Sequence, residues 1–216
     1  MGRIVAWREE AALLIEAEVE RCLQASLLAA VPTETFYALA AHALDEQALA
    51  RLFRAKGRPP AKPVLVLIAG PEMLELVAAD IPEAAALLAA RFWPGPLTLL
   101  LPARPNLPHP LTGGTGAVGV RQPRQEVTRR LAARLGAPIT GTSANRAGRP
   151  PLVSAAQVDR EFGDELSLII DAGPCPGGLP STIVDVSRRP ARLVREGVVS
   201  REDLLTVIPD LELIRK

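Results

Sequence analysis

The chain is 216 residues long, 48% hydrophobic but only 3% aromatic, and carries a formal charge of +1 at pH 7. That length suffices for one α/β domain, with a core built from Ala, Leu, Val and Ile rather than from large rings. The balanced charge gives no global basic field of the kind that binds nucleic acid nonspecifically. Acidic residues interrupt the apolar ones early in MGRIVAWREEAALLIEAEVE, and no later apolar run approaches a membrane span, so the sequence predicts a cytoplasmic protein with neither signal peptide nor membrane helix.

In chain order, residues 9–24 place apolar side chains at helical spacing behind acidic positions. SLLAAV before Pro32 reads as a strand, and residues 45–55 as a second amphipathic helix with Asp45 as N-cap. PVLVLIA at 63–69 is a strand, 82–92 a helix, LTLLLPA at 97–103 and AVGVR at 117–121 strands, and 126–135 a helix opened by Glu126. Ser154 caps a helix over 154–162, and LSLIID at 166–171, STIVDV at 181–186 and ARLVRE at 191–196 follow as strands, the last ones spaced for antiparallel pairing. Ser200 caps a short helix over 200–206, and the Pro/Gly-rich stretch 104–116 reads as a surface loop. Several strands are apolar without alternation, which indicates cover on both faces and hence an α/β domain with a twisted mixed sheet flanked by helices.

Cys22, Cys175, His42 and His109 show no ligand spacing, so no protein-bound metal is expected. The cations are nearly all arginine; the only lysines are Lys56, Lys62 and Lys216, and two of these share one short loop. Lys56 and Gly57 fit a helix C-terminal cation and glycine cap. Arg58 and Lys62 are not explained that way, and three cations in a proline-stiffened loop suit a triphosphate. No GxxxxGK[ST] segment is present, so this is not a P-loop.

Three further polar segments carry chemistry: VPTETFYALA at 31–40, GTSANRAG at 141–148 and GGLPSTIVD at 177–185. Thr142, Ser143 and Asn145 beside Gly141 fit an Asx or Ser/Thr turn, or a phosphate contact for Ser143 with Gly141 allowing close backbone approach. Ser181 and Thr182 either begin a strand or bind an amino acid at its edge. Arg121, at the end of AVGVR, is a solvated flank or a fork-shaped anchor for a carboxylate or phosphate.

VPTETFYALA, KGRPPAKP, FWPGPLTLLLPA, VGVRQP, PITGTSANRAGRPP, GGLPSTIVDVS and RLVREG occur in the order and at the spacing of the YrdC/TsaC family, which the chain resembles over roughly residues 8–200. The resemblance implies a single YrdC-like domain spanning 1–216, in the short form, with a twisted mixed sheet around a basic concave cleft. It implies an L-threonylcarbamoyladenylate synthase that makes threonylcarbamoyl-AMP and pyrophosphate from L-threonine, bicarbonate and ATP, for modification of a tRNA adenosine. Thr35, Arg121, Gly141 and Ser181 would then meet threonine. Lys56, Arg58, Lys62, Ser143 and Arg195 would meet ATP, with Lys56 and Arg58 counted as catalytic. Magnesium would arrive with ATP, held by the nucleotide. The implied partners are downstream tRNA threonylcarbamoyl-transfer proteins of the TsaD/TsaB/TsaE type, with direct tRNA binding left open.

Two positions depart from the family pattern: Ala38 stands where glycine is common, and Ala147 where serine is frequent. Ala38 adds a methyl where positive φ or close approach would suit glycine, and so keeps open a same-fold paralogue with another acyl-adenylate or carbamoyl product. A noncatalytic RNA-binding module on the same concave face is the other alternative. The chain contains neither a Ser/His/Asp nor a Cys/His arrangement, which agrees with a reaction that needs positioning and charge neutralisation rather than an enzyme nucleophile.

Overall fold

The computed structural model describes residues 2–57 and 63–213. Arg58 and Lys62 lie outside the described residues. The elements run β1 (Arg3–Ala6), α1 (Ala12–Gln24), β2 (Ala29–Val31), β3 (Ala38–Ala40), α2 (Glu46–Lys56), β4 (Val66–Leu67) and α3 (Glu83–Phe92). They continue β5 (Leu97–Pro102), α4 (His109–Thr112), β6 (Ala117–Arg121), α5 (Glu126–Leu135), β7 (Ile139–Thr140), β8 (Thr142–Ser143) and α6 (Ala155–Phe162). The last are β9 (Leu168–Asp171), β10 (Thr182–Asp185), β11 (Arg192–Arg195), α7 (Arg201–Leu205) and β12 (Glu212–Leu213).

The helix caps form as the sequence predicts. The Asp45 carboxylate accepts from Gln47 N, Ser154 Oγ from Gln157 N, and Ser200 Oγ from Asp203 N. Each such cap contributes about 1 kcal/mol. Gly57 ends α2 at φ 58°, where a side chain would be strained, so the glycine-cap reading holds.

The strands pair in two sheets rather than in one. Among the described residues, one has the order β1-β9-β2-β3-β8 and the other β12-β11-β10-β5-β6-β4-β7. β10 and β11 pair antiparallel, as expected, while β10 and β5 run parallel. The chain passes from one sheet to the other at Gly141, between β7 and β8; a Cβ there would lie 2.5 Å from the Leu67 side chain and 2.6 Å from that of Leu65. A residue with a side chain would push the two sheets apart at their junction.

Side-chain alternation explains the unbroken apolar runs. Ala30, Leu39 and Ile169 join a core that also holds Leu49, Leu52 and Phe162 from α2 and α6. Their strand neighbours Ala29, Val31, Ala38, Leu168 and Ile170 join a second core with Ile15, Val19, Leu23 and Leu131 from α1 and α5. The five-stranded sheet is thus covered on both faces. In the seven-stranded sheet, Leu97, Leu99 and Leu101 of β5 enter the first core, whereas Thr98 and Leu100 face a cavity. The predicted loop 104–116 contains the short helix α4, opened by Pro110 in its first turn.

Candidate active site

The cavity lies where the two sheets face each other and has a volume of about 620 Å³. One wall is the seven-stranded sheet, presenting Thr98 and Leu100 of β5, Gly119 and Arg121 of β6, Ile183 of β10, and Val194 and Arg195 of β11. The other is the turn between β2 and β3 together with β8, presenting Thr33, Thr35, Ala38, Gly141 and Ser143. Six predicted site residues therefore converge there: Thr35, Arg121, Gly141, Ser143, Ser181 and Arg195. Pro63 and Val64, which follow the undescribed segment carrying Arg58 and Lys62, also line it.

The turn at residues 32–36 is locked from inside. Thr33 Oγ1 accepts from Thr35 N at 3.1 Å and Phe36 N at 3.2 Å, donates to Phe36 O at 2.7 Å, and lies 3.0 Å from Thr35 Oγ1. Either hydroxyl can be the donor in the contact between the two, and the Thr35 side chain lines the cavity. Thr128 of α5 donates to Pro32 O, and the Tyr37 hydroxyl to Gly173 O, fixing both ends of the turn. Burial, then the nearby Asp171 and Cys175, raise the Tyr37 pKa far above its ordinary value, so this hydroxyl remains a donor.

Arg121 is enclosed, with its side chain 5% exposed beside that of Glu34 at 14%. Glu34 Oε1 accepts from its Nε at 3.2 Å and its Nη2 at 2.7 Å, while Thr35 Oγ1 stands 3.5 Å from both Nη1 and Nη2. Arg195 is exposed along much of its length, but its guanidinium bends back to Ser181 O, 2.7 Å from Nη2 and 3.2 Å from Nε. Partial burial first, and the charge of Arg121 second, lower the Arg195 pKa from its ordinary value. Two guanidinium groups that sense one another across one cavity make it a receptor for an anion. Ser181 Oγ lies 3.0 Å from Thr98 Oγ1, whose residue is 1% exposed.

The GTSAN segment is held rigid. Asn145 Nδ2 donates to Arg146 O at 3.1 Å and Arg149 O at 2.7 Å, which orients the amide so that Oδ1 receives the Ser143 hydroxyl at 2.5 Å. Lys56, only 4% exposed at the end of α2, donates to Ser143 O at 2.5 Å and Asn145 O at 2.9 Å. These two bonds from a buried ammonium tether the segment that carries Ser143.

Ala38 occupies an extended strand, opposite Val31 and Ser143, and Ser26 is the described non-glycine residue with positive φ. The expected need for positive φ at residue 38 is therefore not met; the methyl is buried and forms part of the lining. Thr33, Thr98 and Glu34 were not singled out from sequence. The alternation within LTLLLPA, with one hydroxyl among leucines, was the available signal for Thr98. Among the described lining residues there is no carboxylate, and beside them Glu34 Oε1 is paired with Arg121. No described helix is long and apolar enough to cross a membrane.

Known proteins resemble this chain over most of its length. The threonylcarbamoyl-AMP synthase of Pyrococcus abyssi is 44% identical over 186 residues, 86% of this chain and 55% of the relative, so the chain spans about half of that protein's length. A putative threonylcarbamoyl-AMP synthase of Mycobacterium tuberculosis is 37% identical over 86% of this chain and 85% of its own. The structure of P. abyssi Sua5 complexed with L-threonine superposes with a TM-score of 0.92 at 40% identity, covering 99% of this chain and 62% of that one. Residues 21–197 match the Sua5/YciO/YrdC family, described as telomere recombination, and the chain belongs to that family.

Proposed function

We propose that this protein is a threonylcarbamoyl-AMP synthase. The observation that carries the reading is the pairing, in one cavity, of two guanidinium groups with the Thr35 hydroxyl and a hydroxyl pair at Ser181 and Thr98. The likeness to a relative whose structure holds L-threonine supports it. An amino acid bound by its carboxylate to Arg121 would find the Thr35 hydroxyl within reach of its amine or hydroxyl, with Ser181 beside it. Gly141 brings backbone close on the opposite wall.

The amine captures carbon dioxide released from bicarbonate, losing a proton and forming a carbamate. A carbamate oxygen then attacks the α-phosphorus of ATP, the bond to the β-phosphate oxygen breaks, and pyrophosphate leaves with the electron pair. The protein supplies position and positive charge rather than a nucleophile. Arg195 and Ser143 meet the nucleotide, Arg58 and Lys62 the leaving phosphates, and Lys56 acts by holding the Ser143 segment. A phosphate oxygen at Ser143 would draw the hydroxyl hydrogen away from Asn145. Magnesium enters on the triphosphate. A cytoplasmic location, and transfer of the product to tRNA by partner proteins, follow from the same reading.

The test is pyrophosphate release with ATP, bicarbonate and L-threonine, omitting each in turn. Release should require all three; equal release without L-threonine or without bicarbonate would remove this function.

A further inference from the structure

Glu34 stands beside the cavity without lining it, and its geometry is unusual for an ion pair kept only for stability. Carboxylate and guanidinium pair most strongly through two parallel hydrogen bonds, one to each oxygen. Here Oε1 takes both Arg121 donors, Nε and Nη2, while Oε2 is buried with no hydrogen-bond partner among the described residues. An unpartnered buried acceptor is costly to stability. That cost is accompanied by a gain in orientation. Nε and Nη2 form the side edge of the guanidinium, so holding them on Oε1 leaves the Nη1/Nη2 end directed at Thr35 and the cavity. Thr35 Oγ1 accepts from both of those nitrogens at 3.5 Å, long and weak bonds that a ligand carboxylate, a stronger acceptor, can displace.

We propose that Glu34 is a positioning residue for the carboxylate of the amino-acid substrate, acting through Arg121. It holds the side edge of the guanidinium, fixes the rotamer that presents the end pair of donors, and offsets the charge that would otherwise face Arg195 unbalanced. One turn thus supplies both Thr35, which meets the amino acid, and Glu34, which aims the residue that meets its carboxylate. The proposal rests on the reading of the cavity as a threonylcarbamoyl-AMP synthase site.

The test compares wild type, Glu34→Ala and Glu34→Gln by KM for L-threonine, KM for ATP, melting temperature, and the Arg121 Nε–H resonance recorded without substrate. Loss of one charged hydrogen-bond partner corresponds to about tenfold or more. Glu34→Ala should therefore raise KM for L-threonine about tenfold while KM for ATP stays within about twofold. Glu34→Gln keeps an oxygen for Nε and Nη2 and should recover most of that loss. The Arg121 Nε–H signal, sharp and slow to exchange in the wild type and in Glu34→Gln, should broaden or vanish in Glu34→Ala. An unchanged KM for L-threonine in folded Glu34→Ala, or equal rises in both KM values, would overturn the proposal. Should the wild type release no pyrophosphate, the functional reading fails; the Arg121 resonance then still decides whether Glu34 holds the guanidinium, its persistence in Glu34→Ala overturning the proposal. If Glu34→Ala does not fold, Glu34→Asp takes its place, because a carboxylate one methylene shorter cannot reach both donors, and the same separation of KM values is expected.

Discussion

Lys56 offers the sharpest separation between a side chain that touches substrate and one that builds the site. Replacing it by methionine keeps the length and apolar stem but removes the two donors to Ser143 O and Asn145 O, at 2.5 and 2.9 Å. Hydrogen bonds from a charged group contribute about 1.5–3 kcal/mol each, so the loss of these two costs at most about 6 kcal/mol. Ser143 and Asn145 are only partly buried, so water can reach the abandoned carbonyls, and about 3 kcal/mol is the expected net cost. For a domain of this size that corresponds to a fall of about 6–12 °C in melting temperature. Calorimetry or circular dichroism on substrate-free protein measures it, with no reliance on the proposed reaction. A Lys56→Met variant melting within about 2 °C of the wild type would refute the tether, and would return the ammonium to a role in the cavity.

Three further outcomes follow from the geometry. Gly197→Ala would bring a Cβ to 2.1 Å from Pro180 O and 2.8 Å from Ser181 C, backbone atoms that cannot swing aside. It should cost about 3 kcal/mol or more and disturb Ser181, read as a lower melting temperature together with weaker L-threonine binding; a wild-type melt would contradict the close approach. Thr98→Val removes the 3.0 Å partner of Ser181 Oγ at a 1%-exposed position. It should cost about 1 kcal/mol in stability and raise KM for L-threonine more than KM for ATP, measured by thermal melts and steady-state kinetics. Burial raises the pKa of Cys22 and of Cys175 from 9.0 to about 11. The folded state then keeps protons that the unfolded chain releases, so these thiols lower stability as pH rises from about 9 to 11. Denaturant midpoints should fall over that window in the wild type and less so in a Cys22→Ser, Cys175→Ser double variant, and neither native thiol should react with a disulfide reagent at pH 8.

The sequence shows the helices of this fold because their signals are local. Asp45, Ser154 and Ser200 are read as caps and form caps, since a cap needs only its own turn. Strands of two residues carry no period, and β4, β7 and β8 exist only through their partners, as when Ala38 pairs with Ser143 across the sheet. The division into two sheets was likewise unreadable, because it depends on what lies against Gly141, the Leu65 and Leu67 side chains of another segment.

The site follows the same rule. Arg121, Ser143, Ser181 and Arg195 could be named from residue type and motif, because donors and hydroxyls at strand ends suit anionic and polar ligands whatever surrounds them. What each does depends on partners far along the chain. Lys56 reads equally well as a helix-end cation or a phosphate ligand, and the structure adds a third possibility, a tether to carbonyls 87 and 89 positions away. Glu34 is equally distant, 87 positions from the arginine it holds. Its sequence neighbours Thr33 and Thr35 suggest only a polar turn. The division of labour within VPTET, with one hydroxyl closing the turn, one facing the cavity and a carboxylate aiming an arginine, exists only once β6 has been placed beside it. A substitution that leaves the motif's composition intact, such as exchanging Glu34 and Thr35, should therefore raise KM for L-threonine at least as much as deleting either side chain, about tenfold or more, and an unchanged KM would refute this division of labour.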